Sequence, residues 1–304
     1  MHKVQPMGTA EWTFLLLLSL LWGGSFLFAG LAVREMGPLT VVLGRVAIAG
    51  LALLVATKLR GSKVVERPRD VFDYVVMAVL NNVIPFSLLF WALQHIGPGL
   101  AAIFNATTPF FAVIFAQILT DDEKINTGKV MGVVIGISGV ATLIGAKALH
   151  GVGDELLPSL ACVGAAIAYA VSSIWARRFR SKPLTVPATG QLLSATVILV
   201  PIVVAVERPW LGDVPSGVAI GALLALALAS TALAYLLYFR ILRTAGATNL
   251  TLVTLLIPAS ASVLGALFLD EALGPEAFVG MALIALGIAA TDGRPAAWLG
   301  RRAA

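Results

Sequence analysis

The stretch Trp12 to Val33, WTFLLLLSLLWGGSFLFAGLAV, contains no charged side chain, and runs like it recur to the end of the chain. A helix needs about 20 apolar residues to cross a hydrocarbon layer roughly 30 Å thick. Such runs also lack the one-sided stripe of a soluble helix, so the solvent they match is lipid. Composition agrees: 59% of the 304 residues are hydrophobic and 12% are charged, about half the charged share of an ordinary soluble domain. The mean hydropathy is +0.95. The fold class expected is therefore an all-α membrane protein.

Ten spans are predicted: residues 12–33, 40–57, 71–94, 99–119, 127–146, 156–176, 187–206, 215–239, 247–269 and 276–291. The first is too long, and too poorly followed by a cleavage site, to read as a secretory signal peptide. The connections are short, which leaves no room for a soluble domain. The longest is the basic stretch between the second and third spans.

Basic residues fall on alternate connections. One set holds Lys3; Lys58, Arg60, Lys63, Arg67 and Arg69; Lys124 and Lys129; Arg177, Arg178, Arg180 and Lys182; Arg240 and Arg243; and Arg294, Arg301 and Arg302. The other holds Arg34, Lys147 and Arg208, with Arg45 inside the second span. The positive-inside rule then puts both termini in the cytoplasm. The net charge of +5 reports topology, and no nucleic-acid partner is expected. The lone Cys162 excludes an internal disulfide.

The chain also repeats. Leu88, Phe90, Leu93, Gly97, Pro109, Ala112 and Asp121 recur at one constant offset as Leu237, Phe239, Leu242, Gly246, Pro258, Ala261 and Asp270. "LTV" at Leu39–Val41 returns at Leu184–Val186. Two units are read, 1–150 and 151–304. Each holds an odd number of spans, so the second enters the membrane from the opposite side. Inverted repeats of this kind frame a binding site near the midplane in many alternating-access transporters.

Ten spans as five plus five, together with "NNVIPFSLLFWALQHIGPGLAAIFNATTPFF" and "AGATNLTLVTLLIPASASVLGALFLDEAL", resemble the drug/metabolite transporter superfamily and, within it, the EamA-type exporters. Pro109 followed by Asp121–Glu123, and Pro258 followed by Asp270–Glu271, carry the likeness in each half. The resemblance implies a bacterial inner-membrane exporter of small metabolites, among them aromatic amino acids in the YddG-like subgroup. It further implies a central cavity ringed by spans 1, 3, 4, 6, 8 and 9, with spans 5 and 10 as an outer brace.

Proline lacks an N–H and pushes away the carbonyl four residues back. Pro85 frees the carbonyl of Asn81, Pro109 that of Asn105, and Pro258 that of Thr254. Freed backbone is tolerated at membrane depth only where neighbours or water satisfy it. Pro85, Pro109 and Pro258 are therefore read as hinges beside a wet cavity, with Asn81, Asn82, Asn105 and Thr254 as candidate solute contacts. The plainer account is helix kinking and packing, with interhelical hydrogen bonds of about 0.6 kcal/mol each. Ser87, Trp91 and Gln94 share one helix face. Trp22 beside Gly23, Gly24 and Ser25 gives span 1 a ring and a hinge-like, close-approach segment. Tyr169, Ser172, Ser173 and Trp175 form a similar group in span 6, and Tyr235 and Tyr238 in span 8. Trp91 and Trp175 lie near span ends, where tryptophan also anchors helices at the lipid interface. Arg45 is placed near the outer end of its span, to snorkel, to pair with an acid such as Glu35, or to gate the outer mouth.

The acidic residues and His2, His95 and His150 fall outside span centres, whereas proton- or cation-coupled carriers normally bury an ionisable group. Glu11 precedes the first span, unlike the glutamate that small multidrug-resistance relatives carry within it. A neutral cavity of amides, hydroxyls and rings suits a neutral amino acid moving down its own gradient. No metal site, cofactor or ATP-binding segment is expected, and no nucleophile or acid pair at depth suggests an enzyme. A proton-coupled exporter of lipophilic cations or other metabolites, and a non-transporting receptor or assembly factor, stand as alternatives. Gly128, Gly132 and Gly136 make a ridge on span 5 for contact with Gly280 and Gly287 of span 10, or, more boldly, for a homodimer.

Overall fold

The computed structural model describes residues 7–92, 94–96, 98–145, 156–268 and 274–292. Among them every regular element is a helix. α1 (Thr9–Ala32) and α2 (Pro38–Leu59) are unbroken. α3 (Pro68–Ala78) passes through a π turn, Val79–Val83, into α4 (Ile84–Ala92). α5 (Pro98–Asn105) and α6 (Thr108–Leu119) flank a break at Ala106 and Thr107. α7 (Thr127–Ile144), α8 (Leu156–Trp175) and α9 (Thr185–Val206) follow. α10 (Gly217–Ala227) passes through a second π turn, Leu228–Leu233, into α11 (Ala234–Thr251); α12 (Val253–Phe268) and α13 (Pro275–Asp292) complete the order.

Eight helical runs among the described residues are long and apolar enough to cross a membrane, and Val253–Leu264 and Pro275–Thr291 are shorter apolar helices. The protein is a multi-pass membrane protein. One boundary differs from the sequence reading. The helix that begins at Gly217 runs on past residue 239 as far as a kink at Gly246, so the eighth predicted span ends a few residues too early. The chain changes direction at Gly246, whose φ of 86° and ψ of 175° suit a residue without a Cβ.

Beside Pro85 the helix widens into the first π turn, and the second half shows that such a turn forms without proline. At Val79–Val83 the ring of Pro85 follows at once, and the Ile84 amide donates to the Val79 carbonyl. Yet the second π turn, at the matching place in the second half, is followed by Ala234 instead of proline. There the Thr231 hydroxyl donates to the Leu226 carbonyl at 2.8 Å. Side-chain partners therefore hold the wide turn in one copy without a proline.

Glycine decides how α7 meets α13. A Cβ on Gly132 would lie 2.5 Å from the Gly287 carbonyl oxygen, and one on Gly287 would lie 2.5 Å from the Gly136 nitrogen. Backbone therefore rests on backbone, the close contact that small residues permit in lipid. The ridge is covered by α13 of the same chain, which corrects the reading of it as a face for a homodimer. In span 1, too, Gly23 serves contact. α1 runs through Gly23 and Gly24 without a break, and a Cβ on Gly23 would lie 3.0 Å from the Ala261 nitrogen of α12. Beside it Ser19 and Ser260 share a hydrogen bond of 2.8 Å.

Two clusters of carboxylates tie helix ends together at opposite ends of the bundle. At one end Glu207 accepts from the Leu39 amide at 2.8 Å and from the Thr40 amide and hydroxyl at 2.7 Å. Nearby, Glu35 accepts from the Ser216 amide at 2.6 Å and its hydroxyl at 2.8 Å. These bonds satisfy the free N–H groups that begin each helix, and the Ser216 amide chiefly, then its hydroxyl, draws Glu35 below the usual carboxylate range.

At the other end, buried Glu123 accepts from the Ala247 amide at 3.1 Å, the Thr248 amide at 2.9 Å and the Thr248 hydroxyl at 2.6 Å. Arg180 stands 3.6 Å from Glu123, and Arg177 pairs with Asp122. Burial would raise Asp122, but the hydrogen bond and charge of Arg177, with Arg180, hold it below its ordinary value. Lys182 closes on Asp70 at 2.9 Å.

Candidate functional site

Between these two ends lies a cavity of about 520 Å³. Its walls come from α1, α2, the first π turn, α4, α5, α6, α8, α11 and α12. Trp22, Asn81, Asn105, Tyr169, Tyr235 and Thr254, all proposed from sequence, line it, as do Arg45, Ser25, Gln94, Ser173 and Tyr238. The lining runs out to exposed Val33 and Gln94 at the Glu35 end. Toward the Glu123 end lie the buried rings of Tyr74, Phe179 and Phe239; Tyr74 stacks on Phe179 at 5.4 Å, and Phe239 lies 5.1 Å from Tyr238.

Four candidates are not in the wall. Asn82 is 0% exposed and belongs to a polar knot. The Tyr235 hydroxyl donates to Asn82 Oδ1 at 2.7 Å and accepts from Asn81 Nδ2 at 3.2 Å; Gln191 Oε1 takes bonds from Asn81 at 3.2 Å and from Asn82 at 3.5 Å. Ser172, also fully buried, donates to Asn81 Oδ1 at 3.1 Å. This knot joins α8, α9, α11 and the first π turn, and it consumes most of the hydrogen-bonding capacity assigned from sequence to a solute. The Asn81 carbonyl freed by Pro85 lies 3.4 Å from the same Tyr235 hydroxyl. Ser87 and Trp91 are the other two. Trp91 is 37% exposed and meets the His95 ring at a tilt, with ring centroids 4.8 Å apart. The face of α4 that meets the cavity is Phe86, Leu89 and Phe90. The π turn rotates the helix beyond it, which plain helical spacing does not anticipate.

The remaining breaks lie in the cavity wall. The carbonyl of Asn105, freed by Pro109, accepts from the Thr108 hydroxyl at 2.6 Å. The Asn105 side chain lines the cavity, 7% exposed, with Oδ1 lacking a hydrogen-bond partner. Pro258 sits inside α12, and the Thr254 hydroxyl donates back to the Thr251 carbonyl at 2.8 Å. Trp175 lies at the basic end, under the guanidinium of Arg178 at 4.0 Å and donating to the Asp73 carbonyl at 3.3 Å.

Arg45 departs most from expectation. It is 5% exposed, so it does not snorkel, and Glu35 is engaged by Ser216 instead of pairing with it. Its Nε donates to the Thr231 hydroxyl at 3.1 Å, and its guanidinium lies over the Phe86 ring at 4.1 Å. The sequence signal for this was the bare presence of arginine inside a span, which is costly unless used.

A multi-pass helical bundle enclosing a cavity of solute size is an architecture of membrane transporters. Two matches to the model of the EamA-like transporter family, over residues 11–145 and 156–291, cover most of the chain. The chain belongs to that family. It is 22% identical to the uncharacterized transporter YoaV of Bacillus subtilis over 276 residues, which is 89% of this chain and 92% of that protein. It is 25% identical to protein PecM of Dickeya dadantii over 264 residues, 86% of each. A solved crystal structure superposes with a TM-score of 0.80 at 21% identity, over 97% of this chain and 99% of that one. That likeness speaks for the fold.

Proposed function

We propose that the protein exports small metabolites of the amino-acid kind, aromatic and other neutral ones, by alternating access through this cavity. One observation carries the reading: the helix breaks at Ala106–Thr107 and Leu252 and the two π turns all border or buttress a single cavity shared by both halves. In this reading ten crossings form two inverted units, residues 1–150 and 151–304. Two features support the inversion. The π turns fall at the same offset as Pro109 and Pro258. The packing pairs also exchange when the halves are swapped: α7 with α13 and α2 with α9 map onto themselves, and α1 with α12 onto α8 with α6.

The basic end, with Arg177, Arg180 and Lys182, faces the cytoplasm, as do both termini, in a bacterial inner membrane. The described state is then open outward, with the Glu123 cluster closing the inner mouth. The lining holds no aspartate or glutamate among the described residues, which counts against exchange of protons for lipophilic cations. The test is uptake into liposomes holding the purified protein, with labelled phenylalanine, tryptophan, threonine, methionine, glutamate, a nucleotide sugar and a lipophilic cation, each with and without a pH gradient. Saturable flux of the neutral amino acids, unchanged by the gradient, is expected; flux of the cation alone would overturn the proposal.

A further inference from the structure

We propose that Arg45 is an anion subsite in the cavity wall and that the transported solute must carry a carboxylate, whereas its ammonium group is dispensable. The inference rests on the reading of this cavity as the transport site. It replaces a neutral cavity with a singly cationic one.

Among the described residues that line the cavity, Arg45 alone is charged at neutral pH, and a guanidinium does not give up its proton in a protein. A buried arginine ordinarily sits against a carboxylate, because removing the charge from water is otherwise expensive. Here no carboxylate of the described residues comes within 4.0 Å of it. The Thr231 hydroxyl takes one donor and the Phe86 face lies under the plane, which together offset only part of the cost. Thr231 also fixes the fork. Its own hydroxyl donates to the Leu226 carbonyl at 2.8 Å, so its lone pair is turned to Arg45 Nε. The Nη groups at the far side are then left for a planar, two-oxygen acceptor, which a carboxylate matches.

An ammonium finds a poorer welcome. With no acidic residue among the described lining residues, the wall offers it only uncharged acceptors, such as the side chains of Ser25 and Gln94, and the faces of Trp22 and Tyr238, whose ring centroids are 6.2 Å apart. Those rings serve an apolar or aromatic group equally well. A carboxylate bearing a flat apolar group satisfies every feature of the wall.

The experiment measures saturable flux of labelled phenylalanine in liposomes, with three unlabelled competitors: phenylalanine, 3-phenylpropanoate, which lacks the ammonium, and phenylalaninamide, which lacks the carboxylate. Competition by 3-phenylpropanoate at least equal to that by phenylalanine is expected, with phenylalaninamide weaker by about tenfold or more. Arg45→Gln should raise KM by about tenfold, and Thr231→Val, which keeps the charge but releases the fork, by a few-fold. Thermal unfolding in detergent reports whether each variant folds; should Arg45→Gln fail to fold, Thr231→Val and the competitor order decide. Competition by phenylalaninamide equal to phenylalanine, or an unchanged KM in a folded Arg45→Gln protein, overturns the subsite. If phenylalanine does not move at all, the amino-acid reading fails separately. The subsite then stands only if 3-phenylpropanoate raises the unfolding temperature of the natural protein and not that of Arg45→Gln.

Discussion

Asn81 and Asn82 are neighbours with the same side chain, yet one meets the cavity and the other is walled off from it. Replacing Asn82 with alanine leaves the Tyr235 hydroxyl and Gln191 each short of a partner inside the bundle. A buried polar group left unsatisfied costs about 1–3 kcal/mol, so Asn82→Ala should lower the unfolding temperature in detergent. Asn105→Ala removes an amide whose Oδ1 has no protein partner. It should leave that temperature unchanged and alter KM instead. The opposite pattern would exchange the roles given to the two asparagines. The sequence points to amides near Pro85 and Pro109, because freed carbonyls need donors. It does not tell a bridging amide from a lining one, since that depends on Gln191 and Tyr235, residues more than 100 positions away.

At the scale of the helix, the two π turns separate what proline does from what its neighbours do. If side-chain partners hold the wide turn, Pro85→Ala should keep flux within about twofold of normal, because the second copy manages with Ala234 and alanine restores an N–H that the helix can use. Pro109→Ala and Pro258→Ala, at breaks in the cavity wall, should slow flux substantially more, as hinges would. Equal effects at all three positions, read as initial rates in liposomes, would remove the distinction. The seam between α7 and α13 gives a prediction of stability instead. A methyl on Gly287 meets backbone at 2.5 Å on more than one side, so Gly287→Ala forces the helices apart. A cost of about 1–3 kcal/mol is expected from overpacking of this kind, seen as a lower unfolding temperature. The all-helical, multi-pass class and the glycine seam were legible because hydrocarbon thickness and backbone approach are local constraints. The cavity face of α4 was not: helical spacing groups Ser87 with Trp91 but does not say which face turns inward, and the fold presents Phe86 and Phe90.

Across the whole molecule, the two ends differ in how they are fastened. Glu35 and Glu207 bind helix starts at the mouth where the cavity lining reaches exposed residues. Asp122 and Glu123 fasten the other end: Glu123 joins the Thr248 amide to Arg180, and Asp122 takes Arg177, both arginines just beyond α8. The acidic motif was visible in the sequence as a family signature; its partner was not, since nothing local in Glu123 announces the amide of Thr248. In the alternating-access cycle proposed above, this cluster must release before the basic end opens. Its pH dependence follows from the sign of the shift at Asp122. A carboxylate held below its ordinary value contributes its full share above the unfolded value, near 3.9. That share is lost only as the pH falls through the lower folded value. Between about pH 5 and 8 the Asp122 fastening is therefore constant, and flux across that range should be flat; a steep change there would require a titrating group other than Asp122. Breaking the latch chemically is the sharper test. In a Cys162→Ser background, a cysteine at Ser173, 1% exposed in the cavity wall, should react slowly with a membrane-impermeant thiol reagent added from the basic side. Adding Glu123→Ala unseats the Ala247 and Thr248 amides and removes the acid facing Arg180, so labelling from that side should rise several-fold while labelling from the opposite side falls. Unchanged labelling from both sides would mean that the aromatic rings of Tyr74, Phe179 and Phe239 hold the floor shut by themselves, and that the acidic cluster fixes helix ends without gating the cavity.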